Sequence, residues 1–230
     1  MVRGPSSLLT CALGAAAMAV ALVAPALPEA SSGTGVRVAS VVSAVLLAAA
    51  VLAVSANSAP PLPTFLVVFL AVGIGMVALA FDATNARAAA SLPEALLWAT
   101  AGLLFARSFR QPTVAVAVAL LVAGLALAGV AGDTSSLTGK ASAGDPLTLE
   151  LAAFGGGQAL ALPALLAVVL GAVACWTAML ELRVGWTAML VLEAVALAAA
   201  LRIDPVAPVL AAFLLPNLDR LAAGVRDESA

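Results

Sequence analysis

Glu193 is the residue whose type and setting in this sequence most clearly suggest chemistry. It stands alone in the apolar run "VGWTAMLVLEAVALAAAL", ten residues after Arg183 and eight before Leu201. In a helix this spacing puts Glu193 about 15 Å along the axis from Arg183. A carboxyl group in the middle of a membrane is costly and usually faces a protein interior or a water path, where it pairs or carries protons. Glu193 is therefore a candidate proton-relay residue, with Arg183 tuning or gating access to it.

A second interpretation gives Glu193 a structural role only. A protonated glutamic acid can hydrogen-bond a neighbouring helix and hold two helices together. No second carboxylate is predicted at a comparable depth in this chain. A relay through Glu193 therefore requires partner groups from another chain.

The composition predicts that Glu193 lies in a membrane. Hydrophobic residues make up 64% of the 230-residue chain and charged residues 10%, against about 25% charged in a typical soluble domain. So few polar groups could not cover the surface of a soluble fold of this size. The apolar runs are continuous and rich in alanine and leucine, which favours membrane helices over a barrel of alternating strands.

The predicted fold class is all-α: a polytopic integral membrane helical bundle of seven or eight transmembrane helices in a single domain, residues 1–230. The predicted spans are about 8–27, 38–56, 62–81, 92–105, 113–131, 159–180 and 184–201, followed by a short segment at 203–216. The short segment is either a tilted eighth span or a re-entrant or interfacial helix. In the long connection 132–158, the part that begins at Asp145 is predicted to form a short helix that stops at 155–157. It would lie on the membrane surface or, alternatively, be a broken helix lining a cavity.

Two motifs are assigned structural roles. Trp-Thr-Ala-Met-Leu occurs at 176–180 and again at 186–190. A continuous helix over 159–201 would be about 64 Å long, so the chain must turn back in the intervening "ELRVG", where Gly185 would ease the turn. Trp176 and Trp186 would then be interface anchors at the headgroup level. In "SLPE", Ser91 and Glu94 are predicted to form a capping box that starts the fourth helix.

Other kinds of chemistry have little support in the sequence. The chain has no histidine, the commonest haem and zinc ligand. Cys11 and Cys175 form no ligand pattern, and no phosphate loop, nucleophile elbow or HExxH motif is present. We therefore predict no catalytic residue, metal or cofactor, and a chain that is not catalytic on its own. The basic residues are scattered singly, so no nucleic-acid partner is expected.

The charges give a weak indication of orientation. With eight spans and a cytoplasmic N-terminus, the basic residues predicted inside are Arg3, Arg107, Arg110, Arg183, Arg220 and Arg226. Those predicted outside are Arg37, Arg87, Lys140 and Arg202. The excess of basic residues predicted inside, six against four, follows the positive-inside rule. The N-terminal segment is interpreted as a retained helix rather than a cleaved signal peptide, and the high alanine content suggests a bacterial plasma membrane.

The stretch from Arg183 to Leu201 resembles the second helix of the small K-type membrane subunit of respiratory complex I. Relatives of that subunit occur in multisubunit cation/proton antiporters and membrane-bound energy-converting hydrogenases. Arg183, Leu192-Glu193 and Ala194 occupy the places of a basic residue at the helix start, a mid-membrane Leu-Glu and a following small residue. The segment "DPVAPVLAAFLL" is similar to the Asp-Pro opening of the next helix in the antiporter members.

The resemblance covers about residues 183–215, and the chain departs from the family pattern in three ways. Val191 stands where a glycine is usual, the asparagine after Leu-Glu is missing, and Pro216 interrupts the last helix. The longer hydrogenase-type relatives fit the chain length better than the three-helix ones. The resemblance implies association with larger membrane subunits and a proton-relay role for Glu193.

Three functions are carried forward. The first is a subunit of a proton- or cation-translocating energy-converting complex, surrounded by lipid and bound to other membrane subunits. The second is a non-catalytic scaffold or accessory subunit, whose Ala, Val, Leu and Gly composition suits close helix packing. The third is a stand-alone small-solute transporter, in which interruptions at 73–75 and 155–157 would be matched broken helices.

Overall fold

The computed structural model describes residues 6–27, 33–58, 87–131, 147–151 and 161–228. These residues are mostly helical. The α-helices are α1 Ser7–Val23, α2 Gly33–Ser58, α3 Arg87–Ser108, α4 Pro112–Ala131, α5 Ala164–Met179, α6 Val184–Leu201, α7 Val206–Leu214 and α8 Leu218–Glu228. Short 3₁₀ segments occupy Ala24–Ala26 and Leu215–Asn217, and the strands are β1 Thr148–Glu150 and β2 Ala161–Pro163. The predicted span 62–81 lies outside the described residues.

Three helical stretches are long and apolar enough to cross a membrane: Arg37–Asn57, Val184–Leu201 and Val206–Asp227. Shorter apolar helices occupy Ser7–Val23, Pro112–Ala128 and Ala164–Met179. The predicted helical character and the presence of helices of membrane-spanning length are thus confirmed. The count of seven or eight transmembrane helices stays a prediction.

The last helical region is longer than the short segment predicted at 203–216. Helix α7 continues through the 3₁₀ turn Leu215–Asn217 directly into α8. Pro216 lies in the first residues of this 3₁₀ turn, where its missing N–H costs little, so it tightens one turn rather than ending the helix. Together, α7, the 3₁₀ turn and α8 give the continuous stretch Val206–Asp227, which is long enough to span a membrane.

The prediction of a surface helix after Asp145 is wrong, because this part of the chain contains a strand. Thr148–Glu150 pairs antiparallel with Ala161–Pro163, with Leu149 opposite Leu162. In "LTLEL" (147–151) apolar and polar residues alternate, which is the period of a strand, and Leu149 and Leu151 are buried. The strand pair departs from a purely all-α fold, and it delays the start of the sixth predicted span from 159 to Ala164.

The predicted capping box at Ser91 and Glu94 is also wrong. Helix α3 begins at Arg87, so both residues lie inside it, together with Pro93. The preceding Arg-Ala-Ala-Ala has a high helix propensity and extends the helix by one turn. Pro93 is the seventh residue of this helix. There it removes one backbone hydrogen bond, and its ring crowds the carbonyl four residues earlier, which favours a kink.

The centre of the bundle is a close crossing of α3 and α5. A Cβ atom added at Gly102 would lie 1.9 Å from the carbonyl oxygen of Val168, and one added at Gly171 would lie 2.1 Å from that of Ala99. The two backbones therefore touch at these glycines. Small residues at helix crossings allow this approach, which is the main source of packing energy between helices in a membrane. Helix α2 packs against α5 and α6, and α7 packs against α4 and α6.

Replacing Gly171 with alanine should destabilise the bundle, because the new methyl group would meet backbone rather than a movable side chain. We expect the unfolding free energy to fall by about 1–3 kcal/mol, measured as a lower thermal midpoint in mild detergent. Gly124→Ala on α4 is the matched control, since nothing lies within 4 Å of its added Cβ. The control should be neutral or stabilising by up to about 1 kcal/mol. Equal midpoints for the two variants would contradict the close crossing.

Candidate functional site

The predicted turn between α5 and α6 is confirmed, and its geometry differs from the expectation in one respect. The Leu182 N–H donates to the Thr177 carbonyl over 3.0 Å, and Glu181 has a left-handed φ of 51°. This is the Schellman type of helix end, which usually has glycine in the left-handed position. Gly185 instead lies in the first turn of α6, with nothing within 4 Å of an added Cβ. The Arg220 guanidinium donates to the Glu181 carbonyl and supports the strained residue.

Asn217 joins this turn to the end of α7. Its side chain is fully buried. The amide oxygen accepts the Arg183 backbone N–H over 2.8 Å. The amide nitrogen donates to Thr187 Oγ1 and to the Phe213 carbonyl, each over 2.8 Å. Since both sides of the amide are used, Asn217 holds the first turn of α6 against the α7–α8 junction. This residue was not found from the sequence, where a single amide after an apolar helix carries no distinctive signal.

At the start of α6, the side chain of Arg183 forms an ion pair. Its Nη2 lies 2.7 Å from Asp219 Oδ2 on α8, and the two side chains are 44% and 59% exposed. An ion pair this exposed contributes at most about 1 kcal/mol. Glu193 lies almost three helical turns further along α6. Among the described residues, the two predicted relay residues therefore do not pair with each other.

Glu193 points out of the bundle. Its side chain is exposed and shares a face of α6 with Trp186, Met189 and Leu197, which are 63%, 42% and 59% exposed. The inward face of the helix is formed by buried residues: Thr187, Val191, Val195, Ala198 and Ala199. Within the described part of the chain, Glu193 makes no hydrogen bond or ion pair. Any group that pairs with it must come from outside these residues.

Asp204, at the opposite end of α6, contrasts with Glu193. It is only 6% exposed, and its Oδ1 accepts the Val206 backbone N–H over 2.9 Å. A carboxylate that accepts a backbone N–H at a helix start is stabilised by that bond and by the helix dipole. Asp204 therefore serves the start of α7, whereas the Glu193 carboxyl has no such partner among the described residues.

The two tryptophans of the repeated motif have different surroundings, so the prediction that both are interface anchors is wrong for Trp176. Trp176 is 1% exposed, and its indole N–H donates to the Phe109 carbonyl over 2.9 Å. Its ring lies 6.2 Å from those of both Phe105 and Phe213. An indole whose polar edge already has a partner inside the fold is an interior residue. Trp186 is exposed, and its anchor role stays a prediction.

Most of the arginines predicted to be cytoplasmic lie at one end of the bundle. The Trp176–Phe109 hydrogen bond places the α3–α4 connection beside the end of α5. A Cβ added at Gly224 on α8 would meet the Pro112 ring, at 2.8 Å, so α8 lies against the start of α4. The arginines on these connected segments are Arg107, Arg110, Arg183, Arg220 and Arg226.

Comparison with known proteins does not place the chain in a family. No family model matches it, and no curated protein or solved structure is significantly similar to it. The function must therefore be argued from the residues and their geometry.

Replacing Asn217 with alanine should weaken the turn, because it removes the acceptor of the Arg183 N–H and a donor to the buried Phe213 carbonyl. We expect a loss of about 1–3 kcal/mol in unfolding free energy. Asp219→Asn is the control, because it removes only the exposed ion pair to the same Arg183 and should cost about 0–1 kcal/mol. Thermal unfolding of both variants in detergent checks the order. A larger loss for Asp219→Asn would show that the ion pair, and not the amide, holds the turn.

Proposed function

We propose that this protein is a multi-pass membrane subunit of a proton- or cation-translocating, energy-converting complex, with Glu193 as its intramembrane protonatable group. The observation that carries the proposal is a lone carboxyl group midway along an apolar helix of membrane-spanning length. Ionisable residues in such a position are rare and commonly belong to ion or proton pathways. The outward direction of Glu193 fits a subunit that completes a pathway together with another chain.

The surroundings of α6 support the same proposal. The resemblance of residues 183–215 to the K-type membrane subunits implies a relay role for this glutamate. Arg183 is paired with Asp219 at the start of α6. It would act by keeping a positive charge at the entrance of the proton or cation pathway rather than by contacting Glu193. The five arginines at one end of the bundle favour a cytoplasmic location for that end under the positive-inside rule. In this arrangement the protein lies in a bacterial plasma membrane with its N-terminus in the cytoplasm.

A non-catalytic scaffold subunit is the second candidate. It is favoured by the α3–α5 crossing, where glycine and alanine bring two backbones into contact, and by the structural use of Arg183. A scaffold role requires only that Glu193 form a hydrogen bond with a partner helix. The matched broken helices of a stand-alone transporter would involve residues 73–75 and 155–157, which lie outside the described residues, so no observation favours that function.

Replacing Glu193 with glutamine tests the proposed function, because the amide keeps the size and hydrogen-bonding ability of the side chain but cannot exchange a proton. We expect transport of protons or cations by the purified complex in lipid vesicles to be abolished, while the variant still co-purifies with its partner subunits. Transport would be followed with a pH-sensitive dye, or with an ion-selective electrode for a metal cation.

Glu181→Gln is the matched control for this experiment. Glu181 is exposed in the α5–α6 turn, and only its backbone carbonyl is used by Arg220. This variant should transport normally. Normal transport by Glu193→Gln as well would refute the relay role and leave the scaffold, for which Glu193→Ala should lower stability alone.

A further inference from the structure

We propose that the outward face of α6 binds a transmembrane helix of a partner subunit that carries a basic side chain opposite Glu193. This face, called the α6 outer face below, consists of Trp186, Met189, Glu193 and Leu197. The inference rests on the proposed function only in taking the chain to be a subunit of a complex. It adds where the partner binds and what chemistry it brings.

The first argument is the low burial of α6. In the three stretches that are apolar and long enough to span a membrane, the buried share is 50% for Arg37–Asn57, 44% for Val206–Asp227 and 28% for Val184–Leu201. Helix α4 is as open but carries no charged residue, and among the three stretches helix α6 has the largest uncovered side. Its uncovered side is also the one that carries a carboxyl group.

The second argument is charge complementarity. A carboxylate exposed to lipid has no compensation for the hydration it has lost, and such groups are almost always found paired or facing a cavity. Within the described residues no basic group pairs with Glu193. A lysine or arginine on a neighbouring helix at the same depth would compensate the charge. Binding of a second copy through the same face is disfavoured, because it would bring two carboxyl groups together.

The third argument is the shape of the surface beside Glu193. Ala196 and Ala200 lie one and two turns further along α6 and are partly exposed. Small residues next to a polar one allow two membrane helices to approach closely enough for a side-chain contact. Trp186 stands at the start of the face, beside the end of the bundle that carries the arginines. The α6 outer face is thus a strip with a polar group at its centre and room for a partner helix beside it.

The location of the partner can be tested by placing a photoreactive benzoylphenylalanine at Leu197 in the full chain, within native membranes. Leu125 on α4, which is 65% exposed, is the matched control on a different helix. We expect the Leu197 probe to cross-link one other polypeptide, and mass spectrometry to map the adduct to an apolar helix with a lysine or arginine within one turn. The Leu125 probe should give lipid adducts.

Several results of this cross-linking would overturn the inference. These are lipid adducts alone at Leu197, an adduct within the same chain, an adduct to a second copy, or a partner helix without a basic residue near the contact. Each would show that the α6 outer face has a different occupant.

Charge reversal tests the chemistry of the contact. Glu193→Lys should lower the amount of co-purified partner by about tenfold or more, equivalent to about 1.4 kcal/mol of association free energy. Changing the mapped basic residue of the partner to glutamate should restore association with this variant. Glu181→Lys, in the exposed turn, should leave association unchanged. Failure of the second charge change to restore binding would refute the pairing.

The outcomes separate this inference from the proposed function. If Glu193→Gln transports normally while the Leu197 probe still reaches a basic helix, the relay role fails and the docking face stands. If Glu193→Gln is inactive and the Leu197 probe labels only lipid, the docking face fails, while the relay role stands with partner groups that reach Glu193 from elsewhere in the complex.

Discussion

The contact between the backbones of α3 and α5 determines where the other parts of the candidate site lie. At Gly102 and Gly171 the helices are too close for any side chain, so their relative position is set by main chain rather than by movable groups. Five residues beyond Gly171, Trp176 reaches the Phe109 carbonyl at the end of α3. The crossing and this hydrogen bond together fix the end of α5, and with it the position of the turn into α6.

The direction of Glu193 follows from the way that turn is held. Asn217 binds the Arg183 N–H and the Thr187 hydroxyl, which forces Thr187 to face the bundle. In an α-helix with 3.6 residues per turn, a residue six positions further on lies about 120° around the axis. Glu193 cannot share the inward face with Thr187, Val191 and Val195 while this geometry holds. Its outward direction thus follows from a polar contact of Thr187, made less than two turns away.

Some of this arrangement can be predicted from the sequence, and the rest depends on tertiary contacts. The bounds of α6 follow from apolar length and from charged residues that require water, and the structure has them where they were predicted. The strand at Thr148–Glu150 was missed because three residues of alternation beside a glycine-rich stretch are a weak signal. The start of α3 was missed because four residues of high helix propensity outweighed a capping motif that was otherwise complete.

Trp176 and Trp186 show the limit of reasoning from local pattern more clearly. They occupy the same position in two identical five-residue segments, yet one is buried and the other is 63% exposed. The difference comes from the partners of each helix: α5 lies between α3, α2 and α7, whereas one side of α6 is left uncovered. Local sequence sets the length and apolar character of a helix, but which face is buried depends on neighbours distant in the chain. For Glu193 the same reasoning means that its position midway along α6 was predictable from the sequence, whereas its direction out of the bundle follows from the contacts of Asn217.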